Sequence, residues 1–231
     1  MKAGRPTLQN RLIAGLPQAE RESLLHSCAD VELNFGDKLC SQREPYIYAY
    51  FPLTAIISLM ASMEGHPPMG VSIIGHESML GVSLLLASDL APQHAIVQGA
   101  GMALRISVSD LCEALVESPV LLHSMQRYCF RLTAQLGQTT VCTRFHQVEA
   151  RLARWLLMTH DRAHADHFYL THEFLADMLG VQRSAVTIAS GVLKQGGLIG
   201  YSRGRISILD RAGLEAVACE CYMADRLLVP D

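Results

Sequence analysis

The sequence predicts an α+β fold that is built in three successive parts. Short segments of alternating apolar and polar residues run to about Leu111, a pattern typical of an antiparallel β-roll. A heptad repeat then predicts one long helix, and the rest of the chain predicts a small domain of helices and a hairpin. With 231 residues, 50% of them hydrophobic, the chain can bury a core in more than one of these parts.

The composition argues against a membrane protein and against a secreted one. The net charge is −3, from 19 basic and 22 acidic residues. Apolar runs such as Leu84–Ala87 are far shorter than the roughly 18 residues that span a bilayer, and no basic-then-apolar leader opens the sequence. Seven irregularly spaced cysteines argue against a disulfide framework. We therefore expect a cytoplasmic protein with no membrane partner.

Strand candidates fill the first part of the chain, after two short N-terminal helices. Val31, Leu33 and Phe35 alternate with polar residues before a turn at Gly36–Asp37. Further candidates, separated by turns that contain Pro or Gly, are Tyr46–Phe51, Ala55–Met60, Val71–Ile74 and His94–Gln98. Evenly spaced short strands predict a closed or folded-over antiparallel sheet, which we assign to residues 1–114.

Residues 115–146 carry a two-position heptad repeat. One series is Leu115, Leu122, Cys129, Leu136 and Thr143, and the series three positions on is Met125, Leu132, Thr139 and His146. Such a seam over about four heptads predicts a parallel helical dimer, and the alternative is a helix that packs on its own domain. We expect the dimer, with an interface at Leu122, Met125, Cys129, Leu132 and Leu136. The polar threonines weaken the seam near its end, where we place a hinge.

Residues 147–231 predict a separate small domain that contains two closely spaced helices. Thr171 can cap the first helix, and Gly180 supplies the positive φ of a tight turn. The second helix starts near Gln182. A helix, a short glycine turn and a second helix form the helix-turn-helix motif, whose second helix enters the major groove of DNA.

Polar and basic side chains stand where this motif would contact DNA. In that pose the start of the second helix faces base edges with Gln182, Arg183, Ser184 and Thr187. Residues 200–210, GYSRGRISILD, predict a β-hairpin, or wing, whose tip holds Arg203 and Arg205 beside DNA phosphates. Within 183–211, five basic residues stand against one acidic residue, which indicates a modest local positive charge.

The stretch LTHEFLADMLGVQRSAVTIASGVLKQGGLIGYSRGRISILD, residues 170–210, resembles the DNA-binding domain of the Crp/Fnr family, the relatives of the cyclic AMP receptor protein. The resemblance implies an N-terminal cyclic-nucleotide-binding-like β-roll, a long dimerisation helix and a C-terminal winged helix-turn-helix. It also implies that Arg183 reads a guanine, with Gln182 and Ser184 beside it. Ile188 stands where the cyclic AMP receptor carries a second base-reading arginine, which implies a different operator sequence.

By the same resemblance, residues 75–98 correspond to the segment that holds cyclic nucleotides in some family members. Gly75 and Glu77 resemble the ribose-binding residues, whereas Gln93 and His94 occupy the phosphate-binding positions. No Arg or Lys occurs within 75–98, and a buried phosphate without a cation is poorly compensated. We therefore predict a degenerate effector pocket at these four positions, no cyclic nucleotide and no cofactor.

The sequence shows no compelling metal or catalytic motif. The cysteines are scattered, unlike the clustered thiolates of an iron–sulfur site. Cys219 and Cys221 form a C-x-C pair, for which a thiol switch and an ordinary tail are the alternatives. His160 and His164 have a metal-compatible spacing but lie where a helix ends. Since nucleophile-elbow, Walker-type and HExxH motifs are missing, we expect neither a metal site nor an enzyme.

We therefore predict a homodimeric, sequence-specific transcription regulator that binds an inverted-repeat operator in double-stranded DNA. RNA polymerase is a further expected partner. The alternative is a ligand-sensing signalling module whose winged helix docks on another protein. The expected domains are a sensor at 1–114, a dimerisation helix and hinge at 115–146, and a DNA-binding domain at 147–231.

Overall fold

The computed structural model describes residues 9–163 and 165–228. The chain opens with two short helices, α1 (Arg11–Ala14) and α2 (Gln18–His26). Asn10 caps α1 by accepting from the amide of Leu12, and its side-chain amide donates to the carbonyls of Pro52 and Ser78. One buried asparagine therefore fixes the first helix to the strands that follow.

The N-terminal domain is an antiparallel β-roll made of two sheets. Its strands are β1 (Ala29–Leu33), β2 (Lys38–Cys40), β3 (Tyr48–Pro52), β4 (Ile56–Ala61), β5 (Met69–Ile74), β6 (His94–Gly99) and β7 (Gly101–Ser107). The sheet orders are β1-β7-β3 and β2-β6-β4-β5, and a 3₁₀ turn occupies Val82–Leu86. The roll interior is filled by buried side chains that include Phe51, Ile57, Leu80 and Ile106. The sequence predicted five of these strands and missed the short β2 and the long β7.

Two helices, and not one, follow the roll: α3 (Val108–Glu117) and α4 (Pro119–Phe145). The single helix expected from Leu115 was wrong at its start, because Ser118 is extended and caps α4 by accepting from the amide of Leu121. Pro119 stands at the first position of α4, and a proline disfavours helical backbone in the residue before it. Leu115 therefore belongs to α3.

The heptad face of α4 packs on the roll of its own chain. Met125 and Leu132 are buried in the roll core together with Tyr128, whose hydroxyl donates to the carbonyl of Met79 over 2.9 Å. Leu122 and Leu136 are partly buried against the same core, and Cys129 is half-buried. Met125 and Leu132 are thus covered by their own domain, which is the arrangement that the sequence analysis gave as the alternative to a dimer seam.

The C-terminal domain is a winged helix with an additional strand. Its elements are α5 (Val148–His160), β8 (His167–Tyr169), α6 (His172–Leu179), α7 (Arg183–Gln195), β9 (Ile199–Ser202), β10 (Arg205–Ile208), α8 (Arg211–Val217) and α9 (Cys221–Leu228). The sheet order is β8-β10-β9, and β8 was not expected from the sequence. His160 contacts Asp166 at 2.9 Å, whereas His164 lies outside the described residues.

The C-terminal domain folds back against the roll. Ile56, Met60 and Ile73 of the roll are buried in one cluster with Trp155 and with Met178 of the C-terminal domain.

Among the described residues, we find no helix with the length and apolar character needed to cross a bilayer.

A buried ion pair joins α5 to α9 and yields a stability prediction. Arg154 donates to Asp225 over 2.6 Å, and both side chains are under 10% exposed. Asp225→Ala leaves the guanidinium buried without its counter-charge, so we expect the free energy of unfolding to fall by about 3–5 kcal/mol. Urea denaturation at fixed protein concentration measures this change.

The neighbouring Arg226→Ala is the matched control for that measurement. Arg226 is half-exposed, and its contact with Glu215 is 3.9 Å long, so we expect a loss below about 1 kcal/mol. If Asp225→Ala and Arg226→Ala lowered the free energy of unfolding equally, the buried Arg154–Asp225 pair would not stabilise the fold more than a surface contact does.

Candidate DNA interface and effector site

The helix-turn-helix has the geometry that the sequence predicted. Thr171 caps α6 by accepting from the amide of Phe174 over 3.1 Å. Gly180 ends α6 in the left-handed conformation with φ 62°, which glycine adopts without strain. Gln182 is the extended N-cap of α7, so Arg183 is the first residue of the second helix.

The two faces of α7 differ in polarity and in exposure. Val186, Ala189 and Leu193 are buried, and the exposed face carries Gln182, Arg183, Ser184, Thr187 and Ile188. Ile188 is 70% exposed, which is a large apolar area for one side chain on a polar face. An exposed isoleucine here can contact the methyl group of a thymine.

Thr187 is held by two hydrogen bonds within the motif. Its hydroxyl donates to the carbonyl of Arg183 over 3.0 Å and bonds Nδ1 of His172 at 3.0 Å. Because the threonine has a single hydroxyl proton, Nδ1 of His172 must be the donor in the second bond. Thr187 therefore fixes the first turn of α7 onto the start of α6.

His172 also connects the helix-turn-helix to the wing. Its ring stacks on Tyr201 of β9 with centroids 4.2 Å apart and an angle of 15° between the planes. Burial and then the charge of Arg183 lower the pKa of His172 below 6.5. This histidine therefore links α6, α7 and the wing, a contact that the sequence analysis did not identify.

The wing is a two-residue hairpin between β9 and β10. Arg203 and Gly204 have φ values of 50° and 81°, as in a type I′ turn, which matches the right-handed twist of the strands. A Cβ on Gly204 would lie 2.7 Å from the ring of Tyr169 on β8, so the third strand also requires glycine. Arg203 and Arg205 are both exposed, as predicted for the tip.

The positive charge near α7 is smaller than the sequence count indicated. Arg211 donates to Asp161 over 2.6 Å and to Glu215 over 3.0 Å, so its charge is compensated within the domain. Lys194 donates to the carbonyl of Tyr201 and remains exposed. The cations available to a nucleic acid on this surface are thus Arg183, Lys194, Arg203 and Arg205.

The proposed effector residues separate into two places. Glu77 pairs with Arg162 of the C-terminal domain at 2.7 Å, and a Cβ on Gly75 would lie 2.6 Å from Cγ of Arg162. Glu77 and Arg162 line a cleft of about 570 Å³ between the roll, α4 and the C-terminal domain. Arg162 could not be linked to Glu77 from the sequence, because only the folded chain brings the two together.

Gln93 directly precedes β6, and His94 is the first residue of that strand; neither is among the residues that line the cleft. His94 accepts from the amide of Gln42 over 3.1 Å and bonds the hydroxyl of Ser62 at 3.0 Å. The backbone carbonyl of Gln93 contacts the thiol of Cys40. These contacts give His94 a structural role within the roll.

A cysteine and histidine cluster is the functional feature that the sequence analysis missed. The potential ligand atoms of Cys142, His146, Cys219 and Cys221 all lie within 4.8 Å of one another. The hydrogen bond with Cys219 and the nearby charge of Arg154 lower the pKa of the Cys142 thiol. The C-x-C pair was visible in the sequence, and the i,i+4 spacing of Cys142 and His146 was the second available signal.

Residues 150–217 match the model of the Crp-like helix-turn-helix domain. Among curated proteins, none matches the sequence significantly.

Solved structures with the same fold include FixK2 from Bradyrhizobium japonicum, at 15% identity and a TM-score of 0.71, covering 83% of this chain and 98% of that one. A Crp/Fnr-family transcriptional regulator from Eubacterium rectale gives 15% identity and a TM-score of 0.69, over 89% and 96% of the chains. The c-di-GMP responsive global regulator CLP of Xanthomonas campestris gives 15% identity and a TM-score of 0.65, over 83% and 99%.

These similarities agree with the resemblance seen in residues 170–210 and extend it to the architecture of the β-roll, long helix and winged helix. The chain therefore carries a Crp-like helix-turn-helix domain within the fold of the Crp/Fnr transcription regulators.

Proposed function

We propose that the protein is a homodimeric transcription regulator that reads an inverted-repeat operator through α7 and holds the flanking phosphates with the wing. The observation that carries the proposal is the polar, exposed first turn of α7 together with two exposed arginines on the β9–β10 hairpin. The regulator would act in the cytoplasm, with RNA polymerase as a further partner.

Base reading is assigned to the start of α7. Arg183 can bond O6 and N7 of guanine with two hydrogen bonds, and Gln182 can pair with adenine. Ser184 adds a hydroxyl, and Ile188 offers an apolar contact in the same exposed row. Thr187 contributes by fixing this turn, since its hydroxyl is already bonded to Arg183 and His172.

The dimer seam is assigned to the face of α4 that the roll leaves uncovered. Phe130 is 70% exposed and Val141 is 49% exposed, and Ala134 and Gly137 lie between them at heptad spacing. Nothing lies within 4 Å of a Cβ built on Gly137, so a second helix can approach closely there. Such a parallel pair would set the two α7 helices about 34 Å apart, one turn of DNA.

The effector pocket is degenerate with respect to cyclic nucleotides. Glu77, the counterpart of the ribose-binding residue, is already engaged by Arg162, and no Arg or Lys lies within 75–98. CLP is described as responsive to c-di-GMP, but in this chain the segment itself supplies no Arg or Lys for a phosphate, and Arg162 beside it is already paired with Glu77. We propose that any effector acts at the cleft beside Arg162.

Two arginine variants separate base reading from phosphate binding. Arg183→Ala should cost about 1–3 kcal/mol on the operator and much less on random DNA, because it removes a base contact. Arg205→Ala should weaken both complexes by similar factors and reduce the salt slope by about one unit, because it removes a phosphate contact. Fluorescence anisotropy over a range of salt concentrations measures both.

Lys38→Ala, an exposed lysine of the roll, is the control and should leave both affinities unchanged. If Arg183→Ala weakens operator and random DNA equally, α7 does not read the major groove. If the unchanged protein has no salt-dependent DNA affinity, the winged helix is better explained as a protein-docking surface.

A charge on the uncovered face of α4 should separate the protomers. Phe130→Asp places an unpaired carboxylate in the proposed seam, so we expect dimerisation to weaken by about 3 kcal/mol or more while the protomer stays folded. Sedimentation equilibrium measures the change. Ile47→Asp is the matched control, since Ile47 is 73% exposed on the roll, and an unchanged dimer in Phe130→Asp would place the interface elsewhere.

The titration of His172 tests the electrostatic contact with Arg183. Burial and the arginine charge lower the pKa of His172 below 6.5 in the folded state. As the pH falls, His172 is protonated in the unfolded chain before it is protonated in the folded chain. Its contribution to the free energy of unfolding is therefore complete above pH 6.5 and is lost as the pH falls toward the lowered pKa. In Arg183→Ala, NMR titration should show a partly restored pKa, whereas an unchanged midpoint would mean that the Arg183 charge does not act on His172.

A further inference from the structure

A second cluster of functional groups lies away from both the DNA surface and the cleft, at the end of α4. Cys142 lies on the last turns of α4, and His146 is the C-cap residue of that helix. Cys219 and Cys221 lie where α8 gives way to α9. The fold thus brings two sequence pairs, C-x-x-x-H and C-x-C, to one point.

The distances within the cluster correspond to the edges of a small tetrahedron. Sγ of Cys142 lies 3.6 Å from Sγ of Cys219, and Sγ of Cys221 lies 3.5 Å from Nδ1 of His146. A tetrahedral zinc ion with Zn–S bonds of about 2.3 Å and Zn–N bonds of about 2.0 Å has edges of about 3.5–3.8 Å. All four ligand atoms lie within 4.8 Å of one another, which leaves room for one ion between them.

The histidine is oriented as metal-bound histidines are. While Nδ1 faces Cys221, Nε2 lies 3.1 Å from a carboxylate oxygen of Glu220. A ligating histidine commonly donates its other ring N–H to a carboxylate, which fixes both the tautomer and the ring orientation. Glu220 sits between the two C-terminal cysteines in the sequence, so the same short segment supplies two ligands and the orienting group.

The surroundings of the cluster compensate a negatively charged metal–thiolate centre. Cys142, Cys219 and Cys221 are buried and form a group of their own, separate from the two hydrophobic cores. Gln138 donates to Sγ of Cys221 over 3.0 Å. Arg151 and Arg154 line a small cavity with Cys142. Because Arg154 is already paired with Asp225, Arg151 supplies the positive charge beside the net negative charge of Zn²⁺ and three thiolates.

We propose that Cys142, His146, Cys219 and Cys221 bind one zinc ion as a closed tetrahedral Cys₃His site. Sulfur and imidazole ligands in a four-coordinate arrangement select zinc among the common divalent ions. The bound ion ties the start of α9 to the end of α4, the point where the long helix meets the winged domain. Its role is structural, because four protein ligands leave no open coordination position.

Metal analysis of the full-length protein tests the proposal directly. Protein expressed with added zinc sulfate, and purified with a reductant and without a chelator, should contain about one zinc per chain by plasma mass spectrometry. Cys142→Ser and Cys219→Ser should lose most of this zinc. Cys112→Ser, at an exposed cysteine of α3, is the matched control and should retain it.

Cobalt substitution reports the coordination geometry. Protein loaded with Co²⁺ should show the intense visible absorption of tetrahedral cobalt thiolate, and Cys219→Ser should abolish it. If the cysteine variants fail to fold, Glu220→Ala provides the alternative, because this side chain is exposed and lies outside the ligand set. The zinc affinity of the Glu220→Ala protein, measured by chelator competition, should be about tenfold lower than that of the unchanged protein.

Three results would overturn the proposal. The first is a reduced protein that takes up neither Zn²⁺ nor Co²⁺, in which case the cysteines are only packed side chains. The second is zinc retained by Cys219→Ser. The third is sulfide with iron in place of zinc, which would indicate an iron–sulfur cluster. Because these measurements do not involve DNA, they succeed or fail independently of the proposed regulator function.

Discussion

The packing of α5 and α6 against strands β4 and β5 is the contact on which the arrangement of the chain depends. Gly70 makes it feasible, since a Cβ there would lie 2.9 Å from both the Trp155 ring and the carbonyl of Met178. Around this contact, Gln98 donates to Thr159 over 2.8 Å, and Glu77 pairs with Arg162. The winged domain and the roll therefore share a core in addition to being joined through α4.

This shared core gives the cleft beside Arg162 a physical connection to the proposed DNA-binding surface of α7. Arg162 follows α5, whose buried residues support α6 and α7, and its charge is compensated by Glu77 of the roll. A ligand that competes for either charge would change the contact between the two domains. The cost of leaving one member of a buried ion pair without its partner supplies the energy for such a response.

The sequence was sufficient to predict elements that depend on neighbouring residues. It was insufficient for contacts between residues that are far apart in the chain. Gly180, Thr171 and the Arg203–Gly204 turn could be predicted, because caps and turns depend on neighbouring residues. The apolar stripe of α4 was expected to face a second copy, whereas Met125 and Leu132 pack in the roll of their own chain, because a stripe does not show which surface covers it. The cysteine cluster was missed because its two pairs meet only after α9 returns to α4, and Arg162 was missed for the same reason.

Helix α4 thus has three different environments along its length and around its circumference. One face is buried in the roll through Met125 and Leu132, and the face with Phe130 and Val141 remains uncovered. Its C-terminal end meets the cluster formed with Cys219 and Cys221. A rotation of α4 that improved packing on a second copy would disturb the roll and the cluster together, since packed interfaces shift between discrete arrangements and do not deform continuously. In the proposed regulator, assembly and sensing would therefore both be linked to the position of the winged domain through this one helix, because no one of its contacts can change alone.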